Sequence, residues 1–560
     1  MKKIFLILPL LCLLFVSCDD LLQEESFTET GKDDYVKNAS EAEVVLLGCY
    51  ANLSVDGLYS YHLSQLFTLS TDIAQCEGST NTSFREIPTN SHNASTSQIA
   101  TTWRSLYSAI YNTNDFIETV TARMNGWSAR DQELATVLLG EARSLRALYY
   151  FELVRWFGHV SLITSTADSR KDASEYTQAD PKEVYRFIEA DLKYAAEVLP
   201  WAADDQIRSN SAYRFSRGAA LGLLSKVYVT WAGFPIQDQT KWTLAADAAK
   251  LVIQSGKHAL LPNYEQLWKN TCNGIWDAKE SLIEVSFYSP TGIEGNDAVG
   301  RIGKWNGVQT DAREGTRGRN AANWKVLGTF SSEWEALNDP RYALSVADYV
   351  YGYVKADKGI NIAGKVTYEQ MIKIENPTSS EEKLIEARNK KRQLFNPAKW
   401  DTEKYVEPAN ALLNNDRSNV NWYVLRYADV LLLYAEALTE SNGSMTDAVE
   451  AVNVVRRRGF GDTKHDLSAA LSRDELREAI RKERAYELCF EGHRRQDLIR
   501  WGIYYETILK TAQEIVNWYS NANYAVAKYT QKNKHELFPI PQRDFDMMQP
   551  NYQQNTGWGK

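Results

Sequence analysis

Between Leu134 and Phe157 the apolar residues Leu138, Ala142, Leu145, Tyr149, Leu153 and Trp156 recur at steps of four, three, four, four and three. That spacing sets all six on one face of an α-helix, and Gly158 supplies its C-terminal stop. Asp180-Pro181-Lys182-Glu183 offers an N-cap, a proline suited to the first helical position and an acid three residues on; Val184, Ile188, Leu192, Ala195 and Leu199 then form a second stripe. A second pair follows, Ala220, Leu224, Val227 and Trp231 marking one helix and Leu244, Ala248 and Val252 its partner. Late in the chain Tyr427, Leu431, Tyr434 and Leu438, a turn at Ser441-Asn442-Gly443, and Ala448, Val452 and Val455 repeat the arrangement. A weaker early pair is expected over residues 40–53 and 99–124. Gly218, Ala219, Ala220 and Gly222 are small enough to let helices approach closely. Irregularly repeated helix pairs predict a mainly α fold, a tetratricopeptide-like stack interrupted by insertions.

The pattern breaks mid-chain, where seven glycines lie between Gly292 and Gly318 among many Asn, Asp and Thr, so continuous helix is excluded. Ile283, Val285 and Phe287 alternate with Glu284, Ser286 and Tyr288, and Leu344, Val346, Val350 and Val354 sit at even spacing, which predicts a few short strands. Residues 375–400, charged and carrying Pro377 and Pro397, read as a solvated connector. The expected organisation is one unit: helical scaffold over 18–260, a loop-rich insertion over 261–420 available for a ligand, and C-terminal helices and tail over 421–560 packing on the scaffold.

The first 17 residues change the picture. Met1-Lys2-Lys3 is basic, Ile4–Val16 is a 13-residue apolar run too short to span a bilayer, and Ser17-Cys18 reads as a lipoprotein cleavage site with Cys18 expected as the acylated first residue, a simple cleaved signal being the alternative. Phe15 stands where such signals usually have Leu. Acyl chains at about 0.8 kcal/mol per buried CH₂ anchor firmly when there are several. The formal charge of −9 becomes −9 − 2 = −11 once Lys2 and Lys3 leave, which argues against nucleic acid as a partner. Cys49, Cys76, Cys272 and Cys489 are scattered, and nothing in their spacing requires a disulfide.

Chemistry-bearing motifs are few. The seven histidines lie far apart with no HxxxH, so neither a metal site nor any cofactor is indicated. Gly359–Lys365 has the outline of a phosphate loop, but Val366 follows where Ser or Thr would hold Mg²⁺. The densest acidic cluster comprises Glu483, Glu487, Glu491 and Asp497, interleaved with Arg484, Arg494 and Arg495 on a helix opened by the box Ser472-x-x-Glu475. Interleaved arginines keep carboxylates ionised, so this is expected to be a structural ion-pair network and not a general-acid dyad.

The lipoprotein start at Cys18, together with GEARSLRALYYFELVRWFG (140–158), RFSRGAALGLLSKVYVTWAG (214–233), LRYADVLLLYAEAL (425–438), KERAYELCFEGHRRQDLIRWG (482–502) and LFPIPQRDFDMMQPNYQQNTGWG (537–559), resembles the SusD/RagB family of Bacteroidetes outer-membrane lipoproteins. The resemblance implies a tetratricopeptide scaffold with a variable ligand face, displayed outside the cell on a lipid anchor in the outer membrane. It also implies a SusC-like TonB-dependent transporter as partner, over which the protein acts as a hinged lid delivering oligosaccharides or, in some members, peptides. Apart from Cys18, no functional residue is carried over by motif.

Sugar recognition without chemistry needs flat rings against pyranose faces and Asn, Asp, Arg or Gln in plane with the hydroxyls, on loops held by a rigid scaffold. Two loop stretches qualify: residues 76–98, with Arg85, His92 and Asn93, and residues 288–324, with Tyr288, Arg301, Trp305, Asn306, Arg319 and Trp324. Trp305 leads because Gly303 and Gly307 flank it and no helical stripe claims it; Trp103, Trp156, Trp231 and Trp501 lie in helical patterns. The expected function is glycan capture for uptake, with peptide capture, a glycan-degrading enzyme and a helical-repeat adaptor as rivals.

Overall fold

Each amphipathic helix leaves an apolar face that only a neighbour can cover, so the predicted helices close into a stack. The computed structural model describes residues 35–77, 83–288, 299–352, 354–355, 361–520 and 523–559; Cys18 and the signal segment lie outside them. Helix α1 (Ala39–Ala51) packs on α2 (Ser97–Arg123) and α3 (Ala129–Phe157), and α3 then packs on α4 (Pro181–Val198), α4 on α5 (Arg217–Ala232) and α5 on α6 (Lys241–Gln254). Caps fall where the sequence places them: Asp180 accepts from Lys182 N at 2.8 Å, and Gly158 closes α3 at φ +68°.

From Leu138 onward helix α3 is buried nearly all round, not only along its stripe, because α1, α2 and α4 surround it. Its polar residues are therefore paired inside: Arg146 grips Asp191 through Nε (2.8 Å) and Nη2 (2.9 Å), and Glu152 accepts from Tyr59 Oη at 2.5 Å.

After α6 the chain leaves the stack through α7 (Tyr264–Cys272) into short antiparallel strand pairs. Strand β1 (Ala74–Cys76) pairs with β3 (Trp324–Val326), β2 (Ser281–Val285) with β8 (Trp422–Arg426), β4 (Val346–Ala347) with β7 (Asn396–Pro397), and β5 (Tyr349–Tyr351) with β6 (Lys365–Thr367). Strand β2 departs from the half-buried alternation expected of it: all five residues are buried, because β8 lies beside it and α5 crosses it. Glu284 is thus enclosed, accepting from Asn421 Nδ2 (2.8 Å) and Ser281 Oγ (2.9 Å), and burial pushes its carboxyl up to about 7. Gly222 marks the crossing; a Cβ there would stand 3.0 Å from both Leu282 and Leu425. The expected connector over 375–400 contains helix α8 (Glu381–Arg392), which has no buried residue, followed by β7. Its first-turn Glu381 and Glu382 and last-turn Lys390, Lys391 and Arg392 suit the helix dipole.

The chain re-enters the stack at β8, and α9 (Tyr427–Glu440) packs on α6 and α5, then α10 (Met445–Phe460) and α11 (Arg473–Glu487) on α9. The capping box Ser472–Glu475 forms. The acid-rich motif is not one helix, however: α11 ends at Glu487, Phe490 (φ +66°) and Gly492 (φ +82°) turn the chain, and α12 (Arg494–Arg500) restarts it.

The motif's acids pair mostly with distant cations. Glu483 meets Arg341 and Arg456; Glu487 meets Arg341, Arg426 and Arg458; Glu491 meets Lys399 and Arg426. Glu280 joins through Arg426 and Arg458, and Asp339 through Arg341. Burial opposes ionisation of Glu487, but Arg458, Arg426 and Arg341 hold its carboxyl far below the usual range.

Two expectations follow. Arg426→Met strands Glu280, Glu487 and Glu491 without that counter-charge and is expected to cost roughly 3–5 kcal/mol, read by denaturant unfolding. Glu284 binds its proton more tightly folded than unfolded, so its contribution to stability is lost as pH rises from the ordinary carboxylate range through about 7. Glu284→Gln should therefore raise Tm at pH 8, on the order of 2 °C, and change it little at pH 5.

Candidate functional site

Trp305 sits on a loop that admits no slack. Gly303 takes φ +81°, a Cβ on Gly307 would fall 2.3 Å from Gly303 O and 2.6 Å from Trp400 O, and Asn306 Oδ1 accepts from Gly303 N at 2.7 Å. Trp324 N donates to Trp305 O at 3.1 Å. Lys304 turns inward and donates to Arg317 O at 2.7 Å, with burial bringing its amine down to about 8. Trp305 remains part-exposed.

Two further rings meet it. Tyr61, which precedes the π-helical turn His62–Leu66, stands 5.8 Å from Trp305 between centroids, and Phe84 lies 5.7 Å away nearly edge-on. Arg85 lies 4.7 Å over the Phe84 ring, and its Nε donates to Glu77 O at 2.6 Å.

Charges frame the rings. Trp305 Nε1 donates to Asp416 Oδ1 at 3.0 Å, Arg301 bonds both Asp416 and Asp56 (2.7 Å to the latter), and Arg417 donates to Asp56 at 2.8 Å. Arg301 also lies 5.4 Å over Tyr61. Burial pushes the Asp56 carboxyl up, but hydrogen bonds and charge from Arg301, with help from Ser60 and Arg417, bring it down to about 2. It stays ionised at neutral pH, the opposite of a general acid. Arg319 reaches the same neighbourhood through its backbone, which donates to Asn415 Oδ1 at 3.1 Å.

The structure therefore brings Trp305, Arg301 and Arg85 together and separates the other sequence candidates. Trp324 is 4% exposed within β3, and Asn306 is fully buried closing its own turn, so neither offers a surface to a ligand; position in a strand and in a tight loop is the reason. Tyr288 is 67% exposed at the border of the described residues, with no ring contact to Trp305 among them. Asn93 is exposed before α2, its Oδ1 accepting from Ser95 N at 2.8 Å, with no contact to the Trp305 rings among the described residues. His92 is buried against His535 and Trp558. Trp103, Trp156 and Trp231 are core residues. Sequence reasoning missed Tyr61, Phe84, Asp56, Asp416 and Arg417. Tyr61 lies in a stretch of mixed polar and apolar residues, and Asp416-Arg417 in a polar turn, with nothing local to single them out. Among the described residues no group of three or more His, Cys, Asp or Glu could hold a metal ion.

Comparison with known proteins matches residues 310–558 to the SusD family and residues 32–229 to a family described as starch-binding and associating with the outer membrane. A crystal structure of a SusD homologue from Bacteroides thetaiotaomicron is 51% identical, with a TM-score of 0.87 over 95% of this chain and 99% of its own. SusD-like protein P2 of Formosa agariphila is 27% identical over 89% of this chain and 91% of its own. A structure described as a laminarin-binding SusD-like protein has 24% identity and a TM-score of 0.66, over 93% of this chain and 100% of its own; that likeness speaks for the fold.

Proposed function

The chain belongs to the SusD family, and from that premise we propose that it is a surface lipoprotein that captures an oligosaccharide on its Tyr61–Phe84–Trp305 face and delivers it to a SusC-like TonB-dependent transporter. The observation that carries this reading is the Trp305 ring, fixed through its indole N–H to Asp416, backed by Tyr61 and Phe84, and bordered by Arg301 and Arg85. A pyranose offers an apolar C–H face to such a ring and hydroxyls to the charged border, and the loop glycines hold the ring in place before the ligand arrives. Support comes from relatives: the SusD-like protein described as binding laminarin, and surface glycan-binding protein A from Bacteroides thetaiotaomicron, whose structure contains laminarihexaose. Capture without turnover agrees with the arginine-held Asp56.

Trp305→Ala is expected to weaken oligosaccharide binding at least about tenfold, equivalent to ~1.4 kcal/mol, with Tm nearly unchanged. A calorimetric panel of glycans and peptides on the mature chain reads it; preference for peptides would replace the glycan, and unchanged affinity would remove Trp305 from the site. Cys18→Ala should release the protein from the outer membrane, and continued association in fractionated cells would sink the lipid anchor.

A further inference from the structure

A second aromatic recess lies on elements that share no residue with the Trp305 face. Helix α7 is capped by Asn263, whose Oδ1 accepts from Glu265 N at 2.9 Å, and it carries Gln266 and Asn270 four apart on one side. Gly274 (φ +63°) folds the following loop back so that Ile275 N donates to Asn270 O at 3.0 Å. This brings Trp276 against the end of α7, where its ring meets Tyr213 at 5.3 Å. The recess between these residues and the short helical segments Ala202–Asp204 and Gln206–Ser209 has a volume of about 460 Å³, within the range of roughly 300–1,000 Å³ usual for small-molecule sites.

Its chemistry selects among ligands. Ile275 is 52% exposed and Trp276 part-exposed, so the recess has an apolar floor. Gln266 Nε2 donates to Asn270 Oδ1 at 2.7 Å, which orients both amides and leaves Gln266 Oε1 and Asn270 Nδ2 without hydrogen bonds to the described residues. Asn270 is 4% exposed, and the polar atom buried at the recess without a hydrogen-bond partner among the described residues is Trp276 Nε1. One free acceptor beside one free donor suits vicinal hydroxyls, each of which donates and accepts. Asp277 and Lys279 both line the rim, and Lys257 is tied to Asp204 at 2.6 Å, so no net charge selects an ion.

We propose that the Trp276 recess is a second carbohydrate-binding site, taking a neutral sugar ring against Trp276 with its hydroxyls on Gln266 and Asn270. It stands independently of the reading given to Trp305. On a long glycan strand the two sites act together, and avidity exceeds either affinity wherever the strand reaches both.

The test uses the mature chain labelled with 5-fluorotryptophan, with the Trp276 ¹⁹F line assigned by its loss in Trp276→Phe. Glucose, mannose, galactose, xylose and N-acetylglucosamine are titrated separately, with the tripeptide Gly-Phe-Gly and inorganic phosphate as competing classes. At least one sugar is expected to move the Trp276 line saturably, equally in Trp305→Ala, and with an apparent Kd raised about tenfold or more in Gln266→Ala, a part-exposed position that leaves the fold intact. No shift with any sugar, a shift with the peptide or phosphate alone, or a shift abolished by Trp305→Ala would overturn the proposal. Failure of the Trp305 reading looks different: the Trp276 line moves with sugar while the Trp305 line of the unsubstituted chain does not, and oligosaccharide affinity is the same in Trp305→Ala.

Discussion

Five cations (Arg341, Lys399, Arg426, Arg456, Arg458) and five carboxylates (Glu280, Asp339, Glu483, Glu487, Glu491), nearly all withdrawn from water, join the glycine-rich excursion to the helical stack. Desolvating such groups costs several kcal/mol each, and the cost is offset only where every charge finds partners in good geometry. Asp339, Arg341 and Lys399 come from the excursion, Glu280 and Arg426 from its two edges, Arg456 and Arg458 from α10, Glu483 and Glu487 from α11, and Glu491 from the turn that follows it. The network is thus satisfied in one arrangement of excursion and stack, and a displaced excursion would leave charges buried and unpaired.

The Trp305 face inherits that arrangement. Lys399 Nζ bonds Glu491 and the Glu487 carbonyl, so the neighbouring Trp400 is fixed, and it is the Trp400 carbonyl that packs against Gly303 and Gly307. Trp305 therefore rests one step from the buried charges. Asp416 arrives on the strand-bound return to β8, whose last residue is Arg426. A ring held this way loses little conformational freedom on meeting a ligand, which is the physical advantage of placing recognition on loops seated on a rigid base.

The helical scaffold was legible because burial of one face imposes a 3.6-residue period, and Leu138 to Trp156 or Tyr427 to Leu438 show it directly. Local spacing could not show that α3 is surrounded, that Glu284 faces a core, or that α11 ends at Glu487, since each depends on what packs against the element. The acid-rich motif makes the point sharply. Its own Arg484 pairs with Asp429 and Asp497, and Arg494 with Asp72, while Glu483 and Glu487 take Arg341 from more than a hundred residues away.

By itself the sequence determined the mainly helical stack, the excursion that interrupts it, the family resemblance and Trp305 as a ring with no helical stripe to join, because these follow from periodicity, glycine content and contiguous motifs. Tertiary structure alone decided which residues accompany Trp305. Tyr61, Phe84 and Asp416 converge on one indole from three distant stretches of chain, while Asn306, the next residue in sequence, and Trp324, in strand β3, are turned inward. The reason is physical: a binding face is a property of side chains that share a surface, and chain proximity sets that only within one turn or one strand.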